Sequence, residues 1–185
     1  LYTFYELKKQ LPAFISHGME GAVLLFDVDR LQRINDILGY LVGDEVLQRL
    51  GQKCQSMEGV ISYRGPGGKF YCITTEKSES ALDRIYREVQ RFSVEVPREM
   101  NLEIQLTISC GVAFFPQDAE DFETLHANVE YALEQAKKVG RGSIAQFSGQ
   151  MHRKTVEKFR LQEVLRESVA NNCRGFALVR SEEHT

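Results

Sequence analysis

The stretch AVLLFDVDRLQRINDILGYLVGDEVL, Ala22–Leu47, decides how the chain is read. It opens with an unbroken apolar run, Ala22–Phe26, and closes that run on two acids, Asp27 and Asp29. A short branched run behind a glycine predicts a strand buried on both faces. Helical spacing follows. Leu31, Ile34, Ile37 and Leu38 share one stripe up to Gly39, and Val46, Leu47 and Leu50 form a second after Gly43. The pattern predicts a central strand, then two helical pieces with a glycine-marked joint. Asp29 is placed to cap the first piece.

Working outward, Phe4, Leu7, Leu11 and Phe14 or Ile15 predict a leading helix. VISYRGPGGKFYCITT, Val60–Thr75, predicts two strands around a Gly/Pro turn. Ser80 to about Val94 carries Leu82, Ile85, Tyr86, Val89 and Phe92 at helical spacing. LEIQLTISCGVAFF, Leu102–Phe115, alternates cleanly and predicts a long strand. Residues 121–139 form an amphipathic pattern that ends at Gly140 and Gly142, and SIAQF is a short last strand. The order is helix, strand, helix pair, hairpin, helix, strand, helix, strand. It predicts an α/β (α+β) sandwich with a mixed sheet covered by helices. After Gly149 the chain turns charged and helical. We expect a first domain over 1–148, a linker helix over 149–172, and the start of another domain at 173–185.

Composition narrows the function. The 185 residues are 43% hydrophobic and 26% charged, with a net charge of −3. That leaves enough apolar material for a core and argues against a nucleic-acid partner. No stretch reaches the roughly 18 apolar residues of a membrane span. The abrupt opening on LYTFYELKKQL suggests a piece of a longer protein, in which membrane segments would lie elsewhere. Cys54, Cys72, Cys110 and Cys173 share no metal-ligand spacing and read as reduced thiols. His17, His126, His152 and His184 are far apart and read as surface or helix residues.

Three groups of residues carry chemistry. Alternation points Asp27 and Asp29 to one face. Two acids at a strand end suit a hard cation such as magnesium, or a helix cap and a solvated carboxylate. Asn35 and Asp44 together offer the amide and carboxylate that can read guanine, or they serve a helix joint. Lys137 and Arg141, spaced i, i+4, can clamp phosphate, or they form a solvated helix end.

Taken in order, FDVDRLQRINDILGYLVGDEVL, YRGPGGKF, LTISCGVAFFP and ALEQAKKVGR resemble the GGDEF domain family, the diguanylate cyclases of bacterial cyclic di-GMP signalling. The resemblance covers roughly residues 4–147. The pattern D-x-D-x-F-K-x-x-N-D, six residues, G-D is met with only Leu31 and Gln32 in place of Phe-Lys. It implies a nucleotidyl-cyclase or polymerase-palm-like fold with a largely antiparallel central sheet. It implies two GTP molecules joined where two copies pair, with two metal ions neutralising the triphosphate. By motif position Asp27 and the Val28 carbonyl are metal contacts, Asn35 and Asp44 read guanine, and Lys137 and Arg141 hold phosphate. The segment RLQEVLRESVANNCRGFALV resembles the junction into an EAL phosphodiesterase domain, whereas RSEEHT, Arg180–Thr185, does not resemble its continuation. A bacterial cytoplasmic location is implied.

The signature itself departs from the family. Arg64 and Phe70 keep its spacing, so its five positions read Pro66, Gly67, Gly68, Lys69, Phe70. Pro66 loses an N–H and fixes φ. Gly68 stands where the second metal carboxylate belongs, and Lys69 reverses the charge of the next acid. Losses of this kind cost about 10²–10³ in rate per group, and magnesium should bind weakly at best. The product-inhibition motif R-x-x-D would fall on Met57–Val60, which reads MEGV. The expectation is a degenerate GGDEF domain that binds GTP and regulates an adjacent EAL domain. The alternatives are an active cyclase and a ligand-free dimerisation scaffold.

Overall fold

The computed structural model describes residues 1–170 and divides at Ser148 into two units. The first is a mixed six-stranded sheet: β1 (Tyr2–Thr3), β2 (Gly21–Val28), β3 (Ile61–Arg64), β4 (Lys69–Thr74), β5 (Ile108–Phe115) and β6 (Ile144–Gln146). Five helices flank it: α1 (Phe4–Ser16), α2 (Leu31–Leu38), α3 (Tyr40–Ser56), α4 (Glu79–Glu99) and α5 (Phe122–Val139). The strand order is β1-β3-β4-β2-β5-β6. The three central pairings are antiparallel, and only the short edge strands β1 and β6 run parallel to their neighbours. This is the mixed, largely antiparallel sandwich that the element order predicts. The second unit is α6 (Gly149–Ala170) among the described residues. The expected second-domain start, with Cys173 and the tail Arg180–Thr185, lies outside them.

Alternation along the central strands sorts the core into two layers. Ala22, Leu24, Phe26 and Val28 of β2 join Phe70, Cys72, Cys110, Val112, Val46, Leu50, Ile85 and Val89 on one face. Val23 and Leu25 join Tyr71, Ile73, Ala113, Leu7, Leu11, Leu125, Val129 and Leu133 on the other. A strand covered on both faces must be apolar at every position, which is why Ala22–Phe26 is unbroken. The second face belongs to α1 and α5. Gly111 lets α5 lie close: a Cβ there would sit 2.4 Å from both Leu133 N and Val129 O. Cys54, Cys72 and Cys110 are free and buried.

Several local expectations change. The first strand, β1, is too short to carry a pattern. The long strand begins at Ile108 rather than Leu102, because its partner β2 ends with Val28 opposite Ile108. One more bond, from Asp29 N–H to Thr107 O, closes the ladder. The helix joint falls at Gly39, φ +89°, so Gly43 and Asp44 lie inside α3 instead of at its start. Arg30, at φ 55°, occupies the cap position of α2 with no side-chain cap bond; Asp29 does not serve there. Helix α5 ends at Val139, which leaves Arg141 beyond the helix rather than on a face shared with Lys137.

Candidate functional site

The register of the sheet builds the site. Asp27 lies directly opposite Lys69 of β4 on one side and Ser109 of β5 on the other. All three belong to the strand face that α5 covers. Asp27 is therefore the last residue of a row whose inner members, Val23 and Leu25, are core. Lys137 of α5 donates to Asp27 Oδ2 at 2.7 Å. Lys69 donates to both oxygens of Glu130, at 2.8 and 2.6 Å. Glu130 and Lys137 stand two turns apart on α5, so they share its face. Carboxylates and ammoniums alternate along the end of the sheet: Glu130, Lys69, Asp27, Lys137.

Burial pushes the Asp27 carboxyl above its ordinary range. The Lys137 hydrogen bond and charge, with the charge of Lys69, pull it back only in part. Burial works against the Lys137 charge as well, but the Asp27 hydrogen bond and Coulomb attraction outweigh it and raise the ammonium. Behind this row the Tyr71 hydroxyl donates to Glu130 Oε1 at 3.2 Å and lies 3.0 Å from His126 Nε2. Tyr71 is held well above its ordinary value by burial first and Glu130 second.

Asp29 is buried and has a different task. It accepts from Ser109 Oγ at 2.9 and 2.8 Å and from the Gly142 N–H at 3.1 Å. It ties the end of β2 to β5 and to the turn after α5 that carries the exposed Arg141. Spacing alone could not separate Asp27 from Asp29, since both point to one face.

The signature turn is a single 3-10 turn, Pro66–Gly68, closed by Gly65 N–H to Lys69 O at 2.9 Å. Pro66 starts that turn, where its fixed φ is compatible. Gly67 and Gly68 hold φ of +64° and +90°. Phe70 is buried in the core, and Arg64 lies over its ring, 4.3 Å from the centroid.

The structure also brings Asn35 against Gly43, the residue before Asp44. A Cβ on Gly43 would lie 1.8 Å from Asn35 Oδ1, so glycine before Asp44 makes room for the amide. That Oδ1 is buried and has no hydrogen-bond partner among the described residues. Asp44 is exposed and borders an open cavity of about 380 Å³ with Leu47, Gln48, Arg64 and Phe70. Val28 is buried and paired with Ile108.

The donor set does not fit a pair of divalent ions. Of the two acids at the strand end, Asp29 is tied up by Ser109 and the Gly142 N–H, and Asp27 carries the Lys137 ammonium with an ammonium in place of the acid opposite it. Among the described residues no group of three His, Cys, Asp or Glu side chains is placed to hold a metal. Glu130, Tyr71 and His126 were not expected at the site. No spacing in the sequence says which turn of α5 faces Lys69; only the close packing over Gly111 does.

Comparison with known proteins shows the family. Residues 2–143 match the model of the family described as "Diguanylate cyclase, GGDEF domain". The chain is 28% identical over 160 residues to cyclic di-GMP phosphodiesterase NbdA of Pseudomonas aeruginosa, covering 84% of this chain and 20% of that protein. It therefore spans about a fifth of that relative's length. The active GGEEF domain of a Vibrio cholerae diguanylate cyclase superposes with a TM-score of 0.68 at 22% identity, covering 80% of this chain and 98% of that one. An EAL/GGDEF domain protein from M. capsulatus superposes with a TM-score of 0.63 at 26% identity, covering 77% and 94%. The motif-bearing strand, hairpin and helix all fall within the matched span, and the chain belongs to the GGDEF domain family of cyclic di-GMP signalling proteins.

Proposed function

We propose that this GGDEF domain binds GTP without converting it to cyclic di-GMP, and that it regulates an EAL phosphodiesterase domain of the same protein. The observation that carries this reading is the register of Lys69 against Asp27. The hairpin position that should supply negative charge to the reaction supplies an ammonium, and Glu130 holds it there. A charge reversal opposite the remaining acid removes electrostatic stabilisation of the type worth about 10²–10³ in rate per group.

Nucleotide recognition is supported separately. The Asn35 amide oxygen, with no partner among the described residues, lies against Gly43, the residue before Asp44, and Asp44 borders the open cavity. Guanine offers an amine and an N–H donor that this pair can accept. Lys137 on α5 and Arg141 just past it are the cations that this reading assigns to phosphate. The link to phosphodiesterase rests on relatives: NbdA carries that name, and the M. capsulatus neighbour is an EAL/GGDEF domain protein.

Calorimetry with GTP and a product assay test the two halves. The expected result is saturable binding with no cyclic di-GMP formed, and loss of binding in Asp44→Ala. Turnover that Asp27→Ala abolishes would make the domain an active cyclase instead. Absence of binding at millimolar GTP would leave a ligand-free scaffold.

A further inference from the structure

The disagreement between the donor set and a pair of divalent ions has a chemical consequence. We infer that the site takes the triphosphate of a guanine nucleotide directly on the Lys69 and Lys137 ammoniums, with no divalent ion between. This rests on the nucleotide reading above and specifies the form in which the nucleotide binds.

Glu130, Lys69, Asp27 and Lys137 alternate in sign along one end of the sheet as two ion pairs, Lys69 on Glu130 at 2.8 and 2.6 Å and Lys137 on Asp27 at 2.7 Å. Asp27 and Lys69 are cross-strand partners, so the Lys69 charge is fixed beside the carboxylate that a metal would need. A divalent ion approaching Asp27 must displace the Lys137 ammonium and face the Lys69 charge. A divalent ion approaching Glu130 likewise faces the Lys69 ammonium, from which both of its oxygens accept.

The same ammoniums can still bind phosphate. Each has three N–H donors. Lys69 directs two at Glu130. Lys137 directs one at Asp27 and has only a long 3.5 Å contact to Glu134. Each keeps a donor for a phosphate oxygen, and Lys69 directly follows the Pro66–Gly68 turn, where a Cβ at Gly67 would meet nothing within 4 Å. Magnesium on the nucleotide would neutralise the oxygens these donors need. It should therefore weaken binding rather than support it.

Two measurements decide this. In calorimetry with GTP, the affinity in EDTA should be at least as tight as in millimolar magnesium, and Lys69→Ala should weaken it roughly tenfold or more, the scale of a lost charge-assisted hydrogen bond. Binding that is tighter with magnesium overturns the inference while the nucleotide reading stands. No heat in either buffer removes the nucleotide reading itself. The second measurement needs no nucleotide: the paramagnetic resonance of free Mn²⁺ titrated with protein. The parent chain should leave that signal unchanged. Lys69→Glu, which puts a third carboxylate beside Asp27 and Glu130, should deplete it. Depletion by the parent chain, or none by a Lys69→Glu variant that still unfolds cooperatively, overturns the claim that the lysine keeps metal out.

Discussion

Gly67 and Gly68 lie in the left-handed region, φ +64° and +90°, yet their surroundings differ. A Cβ at 67 meets nothing within 4 Å, whereas one at 68 lies 2.8 Å from Leu31 Cδ2. Backbone strain of about 1–2 kcal/mol falls on any L side chain held at such a φ. Gly67→Ala should therefore cost about that much, and Gly68→Ala more, because Leu31 must also move. Urea unfolding of the two variants, with and without Leu31→Ala, separates the parts: the second mutation should recover only the excess at 68. Equal costs at 67 and 68 would refute the steric part. The same geometry bears on function, since an acid cannot be restored at 68 without strain in this turn. At this scale the sequence was informative about Asp27, Lys69 and Gly68, which sit in a recognisable hairpin pattern. It misplaced Asp29 as a helix cap, because its partners Ser109 and Gly142 are distant in the chain and come together only through the β2–β5 register.

Helix α5 does most to shape the site. Its residues His126, Glu130 and Lys137 meet Tyr71, Lys69 and Asp27 on the sheet. His126 also packs against Phe4 at the start of α1 and Phe122 at the start of α5, with ring centroids 5.4 and 5.6 Å away. Its pKa lies below the ordinary 6.5, first through burial; Lys69 and Lys8 add to this, and Glu130 and Glu123 oppose it. The folded state thus prefers neutral His126. Above 6.5 that preference costs nothing. As pH falls through 6.5, the unfolded chain takes up the proton more readily, and stability declines. Urea midpoints at pH 7.5 and 5.5 should show this decline in the parent and a smaller one in His126→Gln. An equal decline in both would place the pH dependence elsewhere. The amphipathic pattern made α5 itself legible. Its rotation over the sheet was not, because the position that lets it settle, Gly111, belongs to another element and reads in sequence as an ordinary strand glycine.

For the whole molecule, the question is where the folding unit ends. Both core layers are closed within the first unit: α1 and α5 cover one face of the sheet, and α2, α3 and α4 cover the other. The last strand, β6, is already paired with β5 by Cys110, Gly111 and Val112. Phe147 N–H then donates to Val112 O at 2.7 Å, extending that pairing almost to Ser148. Among the described residues, none of the buried core comes from α6. No helix among the described residues is long and apolar enough to cross a membrane. Residues 1–148 should therefore fold alone, with a single cooperative urea transition and a midpoint close to that of the 185-residue chain. Ending the chain at 142 instead removes β6 and the Phe147 bond and leaves the β5 edge unpaired on that side. That variant should unfold at distinctly lower urea. If 1–148 loses cooperativity while the longer chain keeps it, α6 belongs to the folding unit, and reading it as a linker toward a following domain fails with it.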